Sequence, residues 1–396
     1  MKIRNLLITV AILIIGGFTI YFLGKSKADS GIKLEPKEVV KVWTAMDSLI
    51  YNFEQEVSGE IDNSHTVGAA LALVYKGEVR ILRCFGEKVN GSGDPVDRNT
   101  IFRLASVSKP ITGTLAGILD DEEILPLNSR IIDYLPNFRL KDSINTYDLN
   151  VENILSHTSG LVPHAYDNLV EAGVDFREIM DSLFRVNISA PPGQLYGYQN
   201  VAFSLYDTLL EAKTRTSFEK AMKKNVFQPF GMRDASVGMK AFMDNKNKAL
   251  PHTSSGTQYR TSNTNEGYFI TQPAAGINAS ISDMSRFMLA MLGHNPAAID
   301  SSTIKKILEP RVISPLRWNY LRKWNEVESK HYALGWRIIG AYGSEIAYHG
   351  GYIRGYRAEL AVCPEEDFGI AYLSNSPNGS DSGIIPFFLN MYFKIN

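Results

Sequence analysis

The chain has 396 residues, 41 Lys+Arg against 42 Asp+Glu, 44% hydrophobic residues and a formal charge of -1. That is a globular composition, and its balanced charge offers no basic field to hold a phosphate backbone, so nucleic acid is excluded as the natural partner. Two cysteines without a CxxC and seven histidines without HxH or HExxH leave no local support for a disulfide framework, a metal or another cofactor.

Lys2 and Arg4 precede an uncharged run from Leu6 to Leu23, closed by Lys25 and Lys27. As a helix its eighteen residues reach about 27 Å, close to the roughly 30 Å hydrocarbon core. A membrane-anchoring N-terminal transmembrane helix over residues 1–30 is expected, with a cleaved signal segment as the alternative. The catalytic or binding part would then lie outside the cytoplasm. Residues 24–36 read as a polar linker. From Pro36, the positions Val39, Val42, Trp43, Met46, Leu49, Ile50, Phe53 and Val57 form an apolar stripe at helical spacing. Gly68–Tyr75 and Glu78–Phe85, parted by Lys76-Gly77, predict a β-hairpin. Helical patterns broken by Pro/Gly loops fill residues 106–274. Strands are expected at Tyr332–Ile339, Glu345–Tyr348, Tyr356–Cys363 and Gly369–Leu373, and a closing helix at Ile384–Ile395. An α/β layer built from residues 37–105 and 275–396, with a helical insertion between, is the arrangement this order suggests.

Ser106-Val107-Ser108-Lys109 sets a hydroxyl and an amine three residues apart, on one face of a helix. A serine hydroxyl is a weak nucleophile, and an amine kept neutral by its surroundings can take its proton. Four S-x-x-K matches occur, at Ser30, Ser106, Ser217 and Ser302. Ser30 lies in the linker, and Ser217 and Ser302 read as helix starts. Ser106 follows the run Ile101–Ala105 and precedes Pro110, which a helix tolerates only in its first turn. Its oxygen would sit at a helix N-terminus, where negative charge is favoured. Tyr198-Gln199-Asn200 follows a Pro-Pro-Gly loop and offers a phenol and an amide, with Tyr166-Asp167-Asn168 as a competing match. His349-Gly350-Gly351 is the only H-x-G in the chain, and glycine there permits close backbone approach.

S-x-x-K, then Y-x-N ninety-two residues later, then H-x-G near the C-terminus resembles the serine β-lactamase and penicillin-binding protein superfamily, on its class C branch. Leu155-Ser156-His157-Thr158-Ser159-Gly160-Leu161, Pro229-Phe230-Gly231-Met232, Ala275-Gly276-Ile277 through Asp283 and Gly335-Trp336 look like signatures of that family in its order. The resemblance spans roughly residues 50–395 and implies a five-stranded antiparallel sheet flanked by helices, with a helical lobe beside it and the site between. It implies Ser106 as acylated nucleophile, Lys109 as activating amine, Tyr198 as proton shuttle and Asn200 as substrate-positioning amide. His349, Gly351 and Tyr352 would border the substrate, with the NH groups of Ser106 and Tyr352 forming the oxyanion hole. His157 is expected to be structural. The third motif departs from the family's K-T-G: His349 replaces the lysine and Gly350 the hydroxyl residue, which puts carboxylate recognition in doubt unless Arg354 or Arg357 supplies it. The expected activity is hydrolysis of an amide or ester, a β-lactam or D-amino-acid peptide among them, through an acyl-enzyme on Ser106. An esterase and a membrane-tethered penicillin-binding module without turnover are the alternatives.

If the family strand order holds, Cys84 and Cys363 lie three strands apart, about 14 Å, and stay unpaired.

Overall fold

The computed structural model describes residues 44–395, apart from 65, 256–257, 265–266, 316–320, 322 and 377–382. The apolar run 6–23, the linker and the first part of the amphipathic stripe lie outside the described residues; among those described, no helix is long and apolar enough to cross a membrane.

The stripe residues Leu49, Ile50, Phe53 and Val57 are buried along one side of helix α1 (Ala45–Asn63). Strands β1 (Gly68–Tyr75) and β2 (Glu78–Gly86) form the expected hairpin. A short strand β3 (Ile101–Arg103) runs through a single 3-10 turn, Ala105–Val107, into helix α2 (Ser108–Asp121). The helical insertion follows, including α3 (Val151–Leu155), α4 (Asp167–Glu171) and α5 (Asn200–Thr214). Within and after it come the small strands β4 (Ser236–Val237), β5 (His252–Ser255), β6 (Gln258–Thr261) and β7 (Ile277–Ser280), then α6 (Ile281–Met291) and α7 (Ser301–Leu308). The chain returns through β8 (Val312–Ile313), β9 (Val327–Tyr332), β10 (Arg337–Ala341), β11 (Ser344–Ile353), β12 (Tyr356–Cys363) and β13 (Phe368–Ser374) to the closing helix α8 (Ile384–Ile395).

The main sheet is antiparallel and has eight strands in the order β2-β1-β13-β12-β11-β10-β9-β8, not the five expected. Two of the additional strands leave little hydrophobic signal: β9 reads Val-Glu-Ser-Lys-His-Tyr and lies toward the sheet's edge, and β8 pairs through two residues only. The single strand expected at Tyr332–Ile339 is also two strands. Ala333–Trp336 is the turn between them, with Tyr332 paired to Arg337. Gly335 makes that turn at φ +76°, and a Cβ there would lie 2.2 Å from the Lys109 carbonyl oxygen. Gly113 of α2 meets the same turn, its Cβ position 2.0 Å from the Leu334 carbonyl. Backbone is thus packed on backbone, which holds the helix carrying Lys109 hard against the start of β10.

Alternation sorts the central strands into two cores. From β1, Ala70, Ala72 and Val74 face the helical insertion and α6, while Ala69, Leu71 and Leu73 face α1 and α8. Burial on both faces explains why β1 and β13 read as continuous apolar runs. Phe53 of α1 packs edge-on against Phe388 of α8, centroids 5.2 Å apart. Cys84 on β2 and Cys363 on β12 are three strands apart and both are free thiols, as expected from the strand order.

Candidate active site

Ala105, at φ +48°, turns the chain sharply out of β3 just before the serine. Ser106 is the one residue from 101 to 117 that is not buried. It opens on a cleft of about 1250 Å³, whose lining also includes Tyr198, Asn200, Asp167, Tyr352 and Arg103. Pro110 falls in the first turn of α2, where its missing N–H costs nothing. The other serines of the recurring pattern are placed differently. Ser217 caps a short helix by accepting from the Lys220 amide, and Ser302 bonds to Asp300 in the first turn of α7.

Lys109 is fully buried, with Nζ 2.7 Å from Asn200 Oδ1, 3.1 Å from the Ala274 carbonyl and 3.4 Å from Ser106 Oγ. Burial, then the positive charge of Arg337, holds its amine well below the ordinary lysine range. A neutral amine has two N–H donors and one lone pair. Asn200 and Ala274 take the donors, which leaves the lone pair for the Ser106 hydroxyl. From the other side the Tyr198 hydroxyl donates to Ser106 Oγ at 2.9 Å. Burial raises the Tyr198 phenol, so it is present as the proton-bearing form. Lys109 Nζ lies 4.6 Å from the Tyr198 ring centroid, and His157, with its ring 4.3 Å from the same centroid, packs behind it. His157 is buried, accepts from the Gln199 amide and is held neutral by burial, so it supports the tyrosine as scaffold.

Asn200 bonds on both sides. Its Oδ1 accepts from Lys109, and its amide donates to both oxygens of Asp167, at 3.1 and 3.0 Å. Asp167 also meets His164 Nδ1 at 2.8 Å. The amide expected to position substrate is therefore engaged in orienting Lys109. Asp167 belongs to the competing Tyr166-Asp167-Asn168 triplet; Tyr166 itself points away, its hydroxyl donating to Ser182 O.

His349 and Gly351 fall on the same face of β11. A Cβ on Gly351 would sit 2.3 Å from the Leu104 carbonyl and 3.1 Å from the Ser106 amide nitrogen, so the strand backbone lies directly against the turn that carries Ser106. Tyr352 follows, exposed at the cleft. His349 is wholly buried. Its Nδ1–H donates to the Gly350 carbonyl at 2.9 Å, and Nε2 accepts from Arg337 Nη1 at 2.7 Å and from the Tyr332 hydroxyl at 3.2 Å. Burial, then Arg337, pushes its pKa far below the ordinary histidine value, so His349 carries no charge near neutral pH.

The cation comes instead from Arg337 at the start of β10, a residue that the motifs do not mark. Its guanidinium carbon is 5.4 Å from the Tyr198 ring centroid. Of the two arginines considered for carboxylate binding, Arg354 lines the cleft, whereas Arg357 pairs with the buried Glu359 at 2.5 Å and belongs to the opposite face. Among the described residues no cluster of His, Cys, Asp or Glu could hold a metal ion.

Comparison with known proteins agrees with this geometry. A family model described as Beta-lactamase matches residues 53–386. The unguisins hydrolase ungD' of Aspergillus campestris is 24% identical over 355 residues, 85% of this chain and 63% of that protein. The esterase EstB of Burkholderia gladioli is 32% identical over 42% of this chain and 46% of its own length. A beta-lactamase of Yersinia enterocolitica is 24% identical over 78% of this chain and 82% of its own. The first three relatives are matched over only 63%, 45% and 45% of their lengths. The octameric penicillin-binding protein homologue from Pyrococcus abyssi shares the fold, with a TM-score of 0.74 at 18% identity, over 87% of this chain and 77% of that one. With the family model covering most of its length and the fold in agreement, this chain belongs to the beta-lactamase family.

Proposed function

We propose that the protein is a serine hydrolase that cleaves an ester or amide through an acyl-enzyme on Ser106. The observation that carries this reading is the arrangement about Ser106 Oγ, with an oriented amine, its neutral form favoured by burial, 3.4 Å away and a phenol 2.9 Å away. Lys109 takes the hydroxyl proton as Oγ attacks the carbonyl. Tyr198 supplies a proton to the leaving group, and the proton held by Lys109 restores the phenol. Water then releases the acyl group by the reverse transfers. The Ser106 N–H, in the turn between β3 and α2, and the Tyr352 N–H are the donors proposed for the developing oxyanion. Arg337, reaching in from β10, adds its positive charge to burial in favouring the neutral form of Lys109.

The third motif offers neither a charged side chain nor a hydroxyl at its first two positions, so an ester or amide needing no carboxylate clamp there fits it better than a β-lactam does. Relatives named hydrolase, esterase and beta-lactamase all lie within this chemistry. Ser106→Ala should abolish turnover of a short-chain 4-nitrophenyl ester and labelling by a fluorescent fluorophosphonate, while Ser217→Ala and Ser302→Ala leave both intact. Persistent labelling of the Ser106→Ala protein overturns the assignment. We propose further that residues 6–23 hold the enzyme at a membrane, its catalytic part outside the cytoplasm. Full-length protein should then resist carbonate extraction, and release of a mature chain beginning near Asp29 would replace the anchor by a signal segment.

A further inference from the structure

Arg103, the last residue of β3, is 3% exposed, and Nε and Nη2 have no hydrogen-bond partner. Among the described residues it makes no ion pair. Its guanidinium carbon lies over Phe269, 3.5 Å from the ring centroid, a contact that leaves its N–H donors without an acceptor. Burial lowers its pKa to about 10, so it is charged at neutral pH. A buried, charged fork without an acceptor is costly, and native proteins keep such groups paired. Arg103 nevertheless lines the cleft that holds Ser106, three residues away in sequence, together with Tyr356 and Thr264. Tyr356 does not neutralise the charge, since burial raises its pKa and keeps the phenol protonated.

The geometry points to Arg103 as the anchor of an anion subsite in the cleft, one that takes a carboxylate of the substrate at the edge of the guanidinium that borders the cleft and so compensates a charge the protein leaves unpaired. A guanidinium fork matches a carboxylate in shape and charge. Substrate specificity for an acid, absent from the third motif, would thus be supplied from the other side of the nucleophile. This inference rests on the reading of Ser106 as the acyl-transfer nucleophile.

Two isosteric substrate pairs test it on the full chain. One compares mono-4-nitrophenyl adipate with its uncharged adipamate, the other 3-carboxyphenyl acetate with 3-carbamoylphenyl acetate, so that the carboxylate lies on either side of the scissile bond. The wild-type enzyme should favour the acid in at least one pair by about tenfold or more in kcat/KM, the value of a charge-assisted hydrogen bond. Arg103→Gln should bring that ratio close to one, and Arg354→Gln should not. Because the readout is a ratio, partial loss of folded protein cancels. Should Arg103→Gln fail to fold, Arg103→Lys decides in its place, since a single displaced ammonium should still lower the ratio. A wild-type ratio near one in both pairs overturns the subsite, as does a ratio that survives replacement of Arg103. Fluorophosphonate labelling of Ser106, measured on the same preparation, separates a failed subsite from a failed nucleophile.

Discussion

Replacing Arg337 by glutamine removes a buried positive charge while keeping an N–H to donate to His349 Nε2. The two basic groups of the site lie over one ring, Lys109 Nζ at 4.6 Å and the Arg337 guanidinium carbon at 5.4 Å from the Tyr198 centroid, so they are at most about 10 Å apart. At an effective dielectric constant of about 20, that separation gives a repulsion of at least ~1.7 kcal/mol between Arg337 and a protonated Lys109. The repulsion favours the neutral amine. Losing it lowers the neutral-to-charged ratio of Lys109 about 15-fold at any pH where the amine is titrating. The assay is the pH profile of kcat/KM for a neutral ester. Its acid limb should move to higher pH in Arg337→Gln, with rates on that limb about 15-fold lower, whereas the plateau above it should be recovered. An acid limb that stays in place, or moves to lower pH, refutes the reasoning, and a uniform loss at every pH would assign Arg337 to structure alone.

Gly351→Ala would set a methyl group against the Leu104 carbonyl and the Ser106 amide; backbone must move at the nucleophile, so acylation, followed by fluorophosphonate labelling, should slow at least a hundredfold with the fold retained by circular dichroism. Asp167→Ala frees the amide of Asn200, so Lys109 loses its orientation; kcat for a neutral ester should fall about ten- to a hundredfold with KM little changed, and an unchanged kcat would mean that the Asp167–Asn200 contact does not serve the amine. His157 and His349 are buried and neutral, with pKa values held below the ordinary value near 6.5. Each binds its proton on unfolding, so their contribution to stability is complete above about pH 6.5 and is lost as pH falls, by up to about 1.4 kcal/mol per pH unit per histidine. Urea melts from pH 7.5 to 5 should show this, and replacing His349 by glutamine should flatten the slope.

Much of the site could be read from the residues because its sequence carries conflicting local signals. Pro110 is admissible only in a first helical turn, which singles out Ser106 among four similar tetrads, and Gly351 after His349 marks a close backbone approach. Charge inside apolar runs supplies the part of the site that no motif marks. Arg103 sits within Ile101–Ala105 and Arg337 between Trp336 and Ile338, in runs whose signal is dominated by hydrophobic neighbours, although a charged residue in a buried strand is the unusual feature there. Asp167 lies in the competing Tyr166-Asp167-Asn168 triplet, and only folding brings α4 to the start of α5, where it meets Asn200. In the same way β9 is not legible in the sequence because its polar alternation suits an outer strand of the sheet and leaves no apolar run, nor is the turn at Ala333–Trp336, because the glycine that makes it is one residue in a hydrophobic stretch.

The central claim is that Ser106 becomes acylated. Mixing the protein with excess 4-nitrophenyl butyrate, quenching in acid during the initial burst and mapping the digest by mass spectrometry tests it most directly. The account predicts one butyryl group per chain, on the peptide containing Ser106, and none when Lys109 is replaced by methionine. Turnover with no adduct on that peptide, or an adduct on Ser108 or Tyr198 in its place, would contradict it.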